Sequence, residues 1–194
     1  NNHKIELSYD PDNQKTTITD SRDNKTIYYY TEISDIRLVT KIIDATDHTQ
    51  LFTWDNDLNK TSSTDQNSQK TNMAYDAQGN LTSITDPLGK KTNFTYESTY
   101  NKCTSITDPL GQKTTYEYDA NGNLAQVTDA QGNATTYTYD RYGNLTSMTD
   151  ATSNRTDYQY DTYGNLTTVI DPLGNQTSFA YDLVGNSTQI TDAK

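Results

Sequence analysis

The sequence predicts an all-β protein built of tandem antiparallel β-hairpins, and three observations predict it. The first is a fixed period: Tyr-Asp recurs at Tyr118-Asp119, Tyr139-Asp140, Tyr160-Asp161 and Tyr181-Asp182, 21 residues apart each time. The series runs back through Tyr96-Glu97, Tyr75-Asp76, Trp54-Asp55, Tyr30 and Tyr9, so about nine copies fill residues 1–194. A period of this size marks a repeat array, each unit one supersecondary element stacked on its neighbours. The second observation is period-two alternation before each Tyr-Asp, as in Tyr137/Tyr139 and Phe179/Tyr181 with polar residues between. That spacing describes a strand with one apolar face. The third is punctuation: the glycines and three of the four prolines fall between the alternating stretches and never inside them.

The first strand of each repeat ends in a slot held by Tyr9, Tyr30, Trp54, Tyr75, Tyr96, Tyr118, Tyr139, Tyr160 or Tyr181. These nine are the expected structural aromatics, since aromatic side chains suit a pleated surface and pair across strands. A short second strand follows, as in Leu81-Thr82-Ser83-Ile84-Thr85. Leu81 and Ile84 are three apart and cannot share a face of a regular strand. Either a bulge intervenes or the leucine belongs to the turn.

Two turns separate the strands. Gly79, Gly122, Gly143, Gly164 and Gly185 precede Asn in the first, and Gly89, Gly111, Gly132 and Gly174 sit in the second. An Asp closes each second strand, including Asp86, Asp108, Asp129, Asp150 and Asp171. A row of carboxylates invites a metal or acid–base reading. Equivalent positions in successive hairpins would lie roughly 9.5 Å apart, too far to share one ion, and the side chains are expected to cap the following turns.

Residues 72–194 carry the regular repeats and 1–71 degenerate ones in a single array. Three places depart most, and each is expected to hold a bulge, kink or specialised loop: a three-residue insertion in 31–43, loss of Gly-Asn in 54–65, and one extra residue in Tyr96–Cys103.

Composition sets the bounds on function. Only 31% of the 194 residues are apolar and the mean hydropathy is −0.96, which predicts a thin sheet with little core. The net charge of −11 excludes a phosphate-neutralising nucleic-acid surface and disfavours anionic membranes. No apolar run reaches membrane-spanning length. Cys103 is the only cysteine, so no intrachain disulfide or cysteine metal site is available. His3 and His48 are the only histidines, and no catalytic constellation is expected. Asp55-Asn56-Asp57 opens like a calcium loop, but Lys60 stands where such a loop needs Gly. Neither a metal nor a cofactor is therefore expected. Tyr142 and Tyr163 share one turn position, where exposed rings could stack on sugars. The plainer expectation is that they pack over the neighbouring turn. Unpaired edge strands would favour self-association.

The recurring Tyr-Asp-x-x-Gly-Asn-Leu-Thr-x-x-Thr-Asp-Pro-x-Gly-Asn-x-Thr resembles the YD repeat of the Rhs family, tightly from about residue 72 and loosely before it. The family includes bacterial Rhs toxins, wall-associated proteins of Gram-positive bacteria, the C component of insecticidal toxin complexes, and animal teneurins. The resemblance implies a curved or spiralling β-ribbon that forms a hollow shell, enclosing in bacterial members a C-terminal toxin or effector of the same protein. It also implies a secreted or cell-surface bacterial protein, and the Gram-positive wall-associated branch fits the Asn, Thr and Lys content. No Asp-Pro-x-Gly-Trp-type core segment is present, and the only Trp is Trp54. The chain is read as wall material excised from a longer protein. An adhesive, carbohydrate-binding repeat module that meets a cell-surface glycan is the alternative.

Overall fold

The computed structural model describes residues 4–192. His3 lies outside them. The regular elements among the described residues are all β-strands, and successive strands pair antiparallel. The chain divides into two compact units between Phe94 and Thr95. The first holds β1 (Glu6–Asp10), β2 (Lys15–Thr19), β3 (Lys25–Ile33), β4 (Ile36–Ile43), β5 (Thr49–Trp54), β6 (Lys60–Thr64), β7 (Lys70–Tyr75) and β8 (Leu81–Thr85). The boundary falls within β9 (Lys91–Tyr96). The second unit holds β10 (Cys103–Thr107), β11 (Lys113–Tyr118), β12 (Leu124–Thr128), β13 (Ala134–Tyr139), β14 (Leu145–Thr149), β15 (Arg155–Tyr160), β16 (Leu166–Ile170), β17 (Gln176–Tyr181) and β18 (Ser187–Thr191).

Both turns of a regular repeat have one design. In the Asp140 turn, Gly143 N–H donates to the Asp140 carbonyl at 3.1 Å and Asp140 N–H donates to the Asn144 carbonyl at 2.9 Å. This is a three-residue hairpin loop, a type I turn closed by one left-handed residue. Gly143 takes that position with φ +87°, where a Cβ would crowd the carbonyl.

The degenerate copies keep this backbone without its usual residues. Leu58 occupies the left-handed position at φ +68° in the repeat that lacks Gly-Asn. The insertion in residues 31–43 makes a longer hairpin: β3 and β4 run on to a two-residue turn at Ser34 (φ +52°) and Asp35 (φ +63°). Two consecutive positive φ values are those of a type I′ turn, whose twist matches the strands it joins. The bulge in this hairpin lies between Tyr29 and Tyr30, its place in the regular repeats.

That bulge resolves the Leu81 question. Pairing steps from Ala74↔Ser83 to Tyr75↔Leu81, leaving Thr82 as the extra residue. Leu81 is thus a strand residue opposite Tyr75, and the bulge returns it to the face of Ile84, which pairs with Met73. The same shift recurs at Thr138/Tyr139, Gln159/Tyr160 and Ala180/Tyr181.

Each unit therefore has an aromatic face and a hydroxyl face. Among the described residues no apolar side chain is fully buried; the deepest are small and polar, with Ser147 only 2% exposed. Ser147 Oγ lies 2.7 Å from Thr138 Oγ1, and Ser62 Oγ lies 2.7 Å from Thr53 Oγ1. With so thin a core, backbone ladders and cross-strand pairs hold the sheet.

Candidate functional site

The ladder within each hairpin runs to the Tyr-Asp turn, but the ladder between hairpins stops short. Pairing of β16 with β17 ends at Thr168↔Ser178, two residues before Leu166. Pairing of β10 with β11 ends at Ser105↔Thr115, two residues before Cys103. Beyond those points the strands part, and the slot aromatic of the following hairpin closes the gap. The Tyr181 hydroxyl donates to the Leu166 carbonyl at 2.9 Å, and Tyr118 donates to the Cys103 carbonyl at 2.8 Å. In the first unit Tyr75 donates to the Lys60 carbonyl at 3.1 Å and the Trp54 indole N–H donates to the Val39 carbonyl at 2.8 Å. Each acceptor lies 15 residues before its donor. A strand carbonyl beyond the end of its ladder has lost its backbone partner and needs another.

The sequence carries a signal for this bond. All nine slot residues are Tyr or Trp, which have a polar donor at the tip, whereas the companion two residues earlier is also Leu, Met or Phe. Burial pushes the Tyr75, Tyr118, Tyr139 and Tyr160 phenols above the ordinary tyrosine range, which keeps the Tyr75 and Tyr118 donors protonated. The first hairpin differs: Tyr30 stacks on Tyr9 at 6.0 Å, with the Arg37 guanidinium over both rings.

The closing aspartates sit at the turns. Asp86 Oδ1 accepts from Leu88 N–H at 2.9 Å and Lys90 N–H at 2.8 Å, and Asp108 accepts from Leu110 and Gln112 in the same way. Asp129, Asp150 and Asp171 add a third bond, from the side-chain amide of the Asn four residues on. The Tyr-Asp aspartates cap their turns identically: Asp76, Asp119, Asp140, Asp161 and Asp182 each accept two backbone N–H groups and one Asn amide. The Asn at the fifth position of both turns is the sequence mark of this shared role. Hydrogen bonding, first from the Asn154 side chain, lowers the Asp150 pKa to about 2. Glu97 heads the turn with the extra residue, where its longer side chain accepts from Thr99, Tyr100 and Lys102 N–H groups.

Where the hairpins part, shallow grooves lie at equivalent places of the second unit, three of them as follows. One of about 480 Å³ includes Glu97, Tyr100, Thr104, Tyr118 and Asp119 in its lining. Another of about 350 Å³ includes Asp140, Tyr142, Thr146, Tyr160 and Asp161. The third, about 500 Å³, includes Asp161, Tyr163, Thr167, Tyr181 and Asp182. Tyr100 packs over the next turn, its hydroxyl donating to the Ala120 carbonyl at 3.0 Å. Tyr142 and Tyr163 stand out from the sheet, 73% and 88% exposed. Among the described residues no group of three or more His, Cys, Asp or Glu side chains is placed to hold a metal ion.

Comparison with known proteins places this architecture. A model of the RHS repeat matches residues 54–91, 75–102, 98–134, 118–156, 139–176 and 160–194, in unbroken overlap. The chain belongs to the RHS repeat family. The RHS repeat fold also appears in solved structures of low sequence identity. The crystal structure of TcdB2-TccC3 without its hypervariable C-terminal region is similar with a TM-score of 0.63 and 16% identity, over 92% of this chain and 12% of that one. The Photorhabdus luminescens Tc holotoxin pore carrying TccC3-D651A gives 0.58 and 15% identity, over 93% and 13%. TcdB2-TccC3-Cdc42 gives 0.57 and 15% identity, over 93% and 14%. This RHS repeat segment thus spans about an eighth of the chains it resembles. No curated protein sequence matches it.

Proposed function

We propose that this RHS repeat segment is part of the wall of a hollow shell that encloses a C-terminal toxin or effector of its own parent protein, in a secreted or surface-located bacterial protein. Its role in this reading is structural and not catalytic. The observation that carries it is the fold shared with the TcdB2-TccC3 structures, one of which is described without a hypervariable C-terminal region and another of which is a Tc holotoxin. The arrangement of wall and cargo is carried over from the Rhs resemblance, with the cargo C-terminal to the repeats. The nine slot aromatics and the turn aspartates are its framework, in one array with residues 1–71 degenerate and 72–194 regular. The test is limited proteolysis of the full-length parent protein with and without this segment, following the part C-terminal to the repeats. Protection only when the repeats are present supports enclosure. Equal cleavage either way overturns it and leaves an exposed stalk.

The exposure of Tyr142 and Tyr163 favours a second reading, an adhesive surface on which glycan rings stack. Retention on a peptidoglycan column, abolished by Tyr142→Ala with Tyr163→Ala, would support it. Passage of the unaltered chain straight through would end it.

A further inference from the structure

These three grooves of the second unit differ in what the chain itself puts into them. In the Tyr142 groove the Arg141 guanidinium lies over the Tyr142 ring, 4.6 Å from its centroid, and donates to the Tyr142 hydroxyl. Beside the Tyr100 groove, but not in its lining, the Lys102 ammonium lies over two rings, 5.3 Å from the Tyr118 centroid and 5.8 Å from that of Tyr100, and donates to the Gly122 carbonyl. The Tyr142 groove is therefore occupied by a cation from the chain, held against an aromatic face.

The Tyr163 groove has the same walls without the cation. Thr162 stands where the neighbouring repeat has Arg141, and no Lys or Arg lines this groove among the described residues. It is bounded by the Asp161 and Asp182 carboxylates and the rings of Tyr163, Phe179 and Tyr181, with Leu183 and Val184 beside them. The two carboxylates stay ionised, since Asn165 and Asn186 lead the hydrogen bonds that depress their pKa values. Both are engaged in capping their turns, so they supply negative field more than free acceptors. Leu183 and Val184 are exposed and offer apolar surface for the methylene stem of a long basic side chain.

We propose that the Tyr163 groove binds the guanidinium or ammonium group of a basic peptide segment, seated over the Tyr163 ring as Arg141 is seated over Tyr142. The ring face attracts the cation through its quadrupole, and the flanking carboxylates reinforce the attraction. The evidence for the ligand's chemistry is internal: the equivalent Tyr142 groove already holds a cation against its ring, and this one does not. Cation binding here is independent of enclosure, because a groove can take a basic side chain whether or not the ribbon surrounds a cargo.

The experiment is a ¹⁵N NMR titration of the 194-residue chain with the capped tripeptide acetyl-Gly-Arg-Gly-amide, against acetyl-Gly-Glu-Gly-amide and chitotriose. The arginine peptide should shift the amides of Tyr163, Gly164, Val184 and Gly185, and added salt should weaken it. Tyr163→Ala should weaken binding roughly fivefold, the most a solvent-exposed cation–π contact supports, while Tyr163→Phe keeps it. Thr162→Arg should fill the groove from within and suppress binding, and Arg141→Thr should open a second set of shifts at Tyr142 and Gly143. Tyr163 is largely exposed, so unchanged spectra elsewhere will confirm that the variants fold. The proposal is overturned if the arginine peptide leaves these amides unmoved, if the glutamate peptide or chitotriose binds as well, or if Thr162→Arg binds undiminished.

Discussion

The Tyr118 hydroxyl donates to the Cys103 carbonyl at 2.8 Å, across the point where the β10–β11 ladder has already ended at Ser105↔Thr115. A side chain here does what a backbone amide does elsewhere in the sheet. The ladder between the hairpins ends short of the turn, and the phenol of the next hairpin supplies the missing bond.

Tyr118→Phe should keep the ring and lose the bond, destabilising the chain by about 1 kcal/mol, the net worth of an ordinary hydrogen bond. The loss should be concentrated near residues 103–118 in amide hydrogen exchange, because repeats couple chiefly to their neighbours. Tyr116→Phe, at the inner position, serves as the control. An equal, chain-wide loss for both would show that the phenol bond has no special role.

Ser153 holds the left-handed turn position at φ +69° and is exposed. Ser153→Gly relieves a backbone strain of about 1–2 kcal/mol and gives back part of it as unfolded-state entropy. A net gain of about 0.5–1 kcal/mol is expected, read as a higher urea midpoint. A midpoint that falls would mean that Ser153 makes compensating contacts in the turn.

Glu97 and the extra residue in its turn form a matched pair. Glu97→Asp shortens the reach to Tyr100 and Lys102 N–H groups and should cost about 1 kcal/mol. Deleting Ser98 in the same chain shortens the turn to the regular length and should recover most of it. Additive losses, without recovery, would show that side-chain length and loop length are not coupled.

Acid should loosen the hairpins. Asp129, Asp140, Asp150 and Asp171 have depressed pKa values in the folded chain, led by Asp150 at about 2. Their contribution is fully present above about pH 4, the ordinary aspartate value. As pH falls toward 2 the folded chain must take up protons it binds poorly, so stability drops through that window. Relief of repulsion from the net charge of −11 acts in the opposite direction. Circular dichroism melts between pH 6 and about 2 decide between them: a falling Tm favours the caps, and a constant or rising Tm shows that charge relief outweighs them.

Much of this protein was legible without coordinates. The period of 21 residues, the alternation before each Tyr-Asp and the glycine-bearing turns are local features, and local features read directly from residue order. They determined the all-β hairpin array and its family. Tertiary structure decided what depends on two strands at once. A bulge is a mismatch between partners, so residue order left Leu81 open between strand and turn, and only the step from Ala74↔Ser83 to Tyr75↔Leu81 placed it. The early end of the inter-hairpin ladder is likewise a property of the pair, and from it follow the phenol bonds and the grooves. That Arg141 covers Tyr142 while Tyr163 stays open had a trace in the sequence, Arg against Thr at one turn position. Its meaning required the ring, the cation and the two carboxylates to be set side by side, because the attraction among them acts through space and not along the chain.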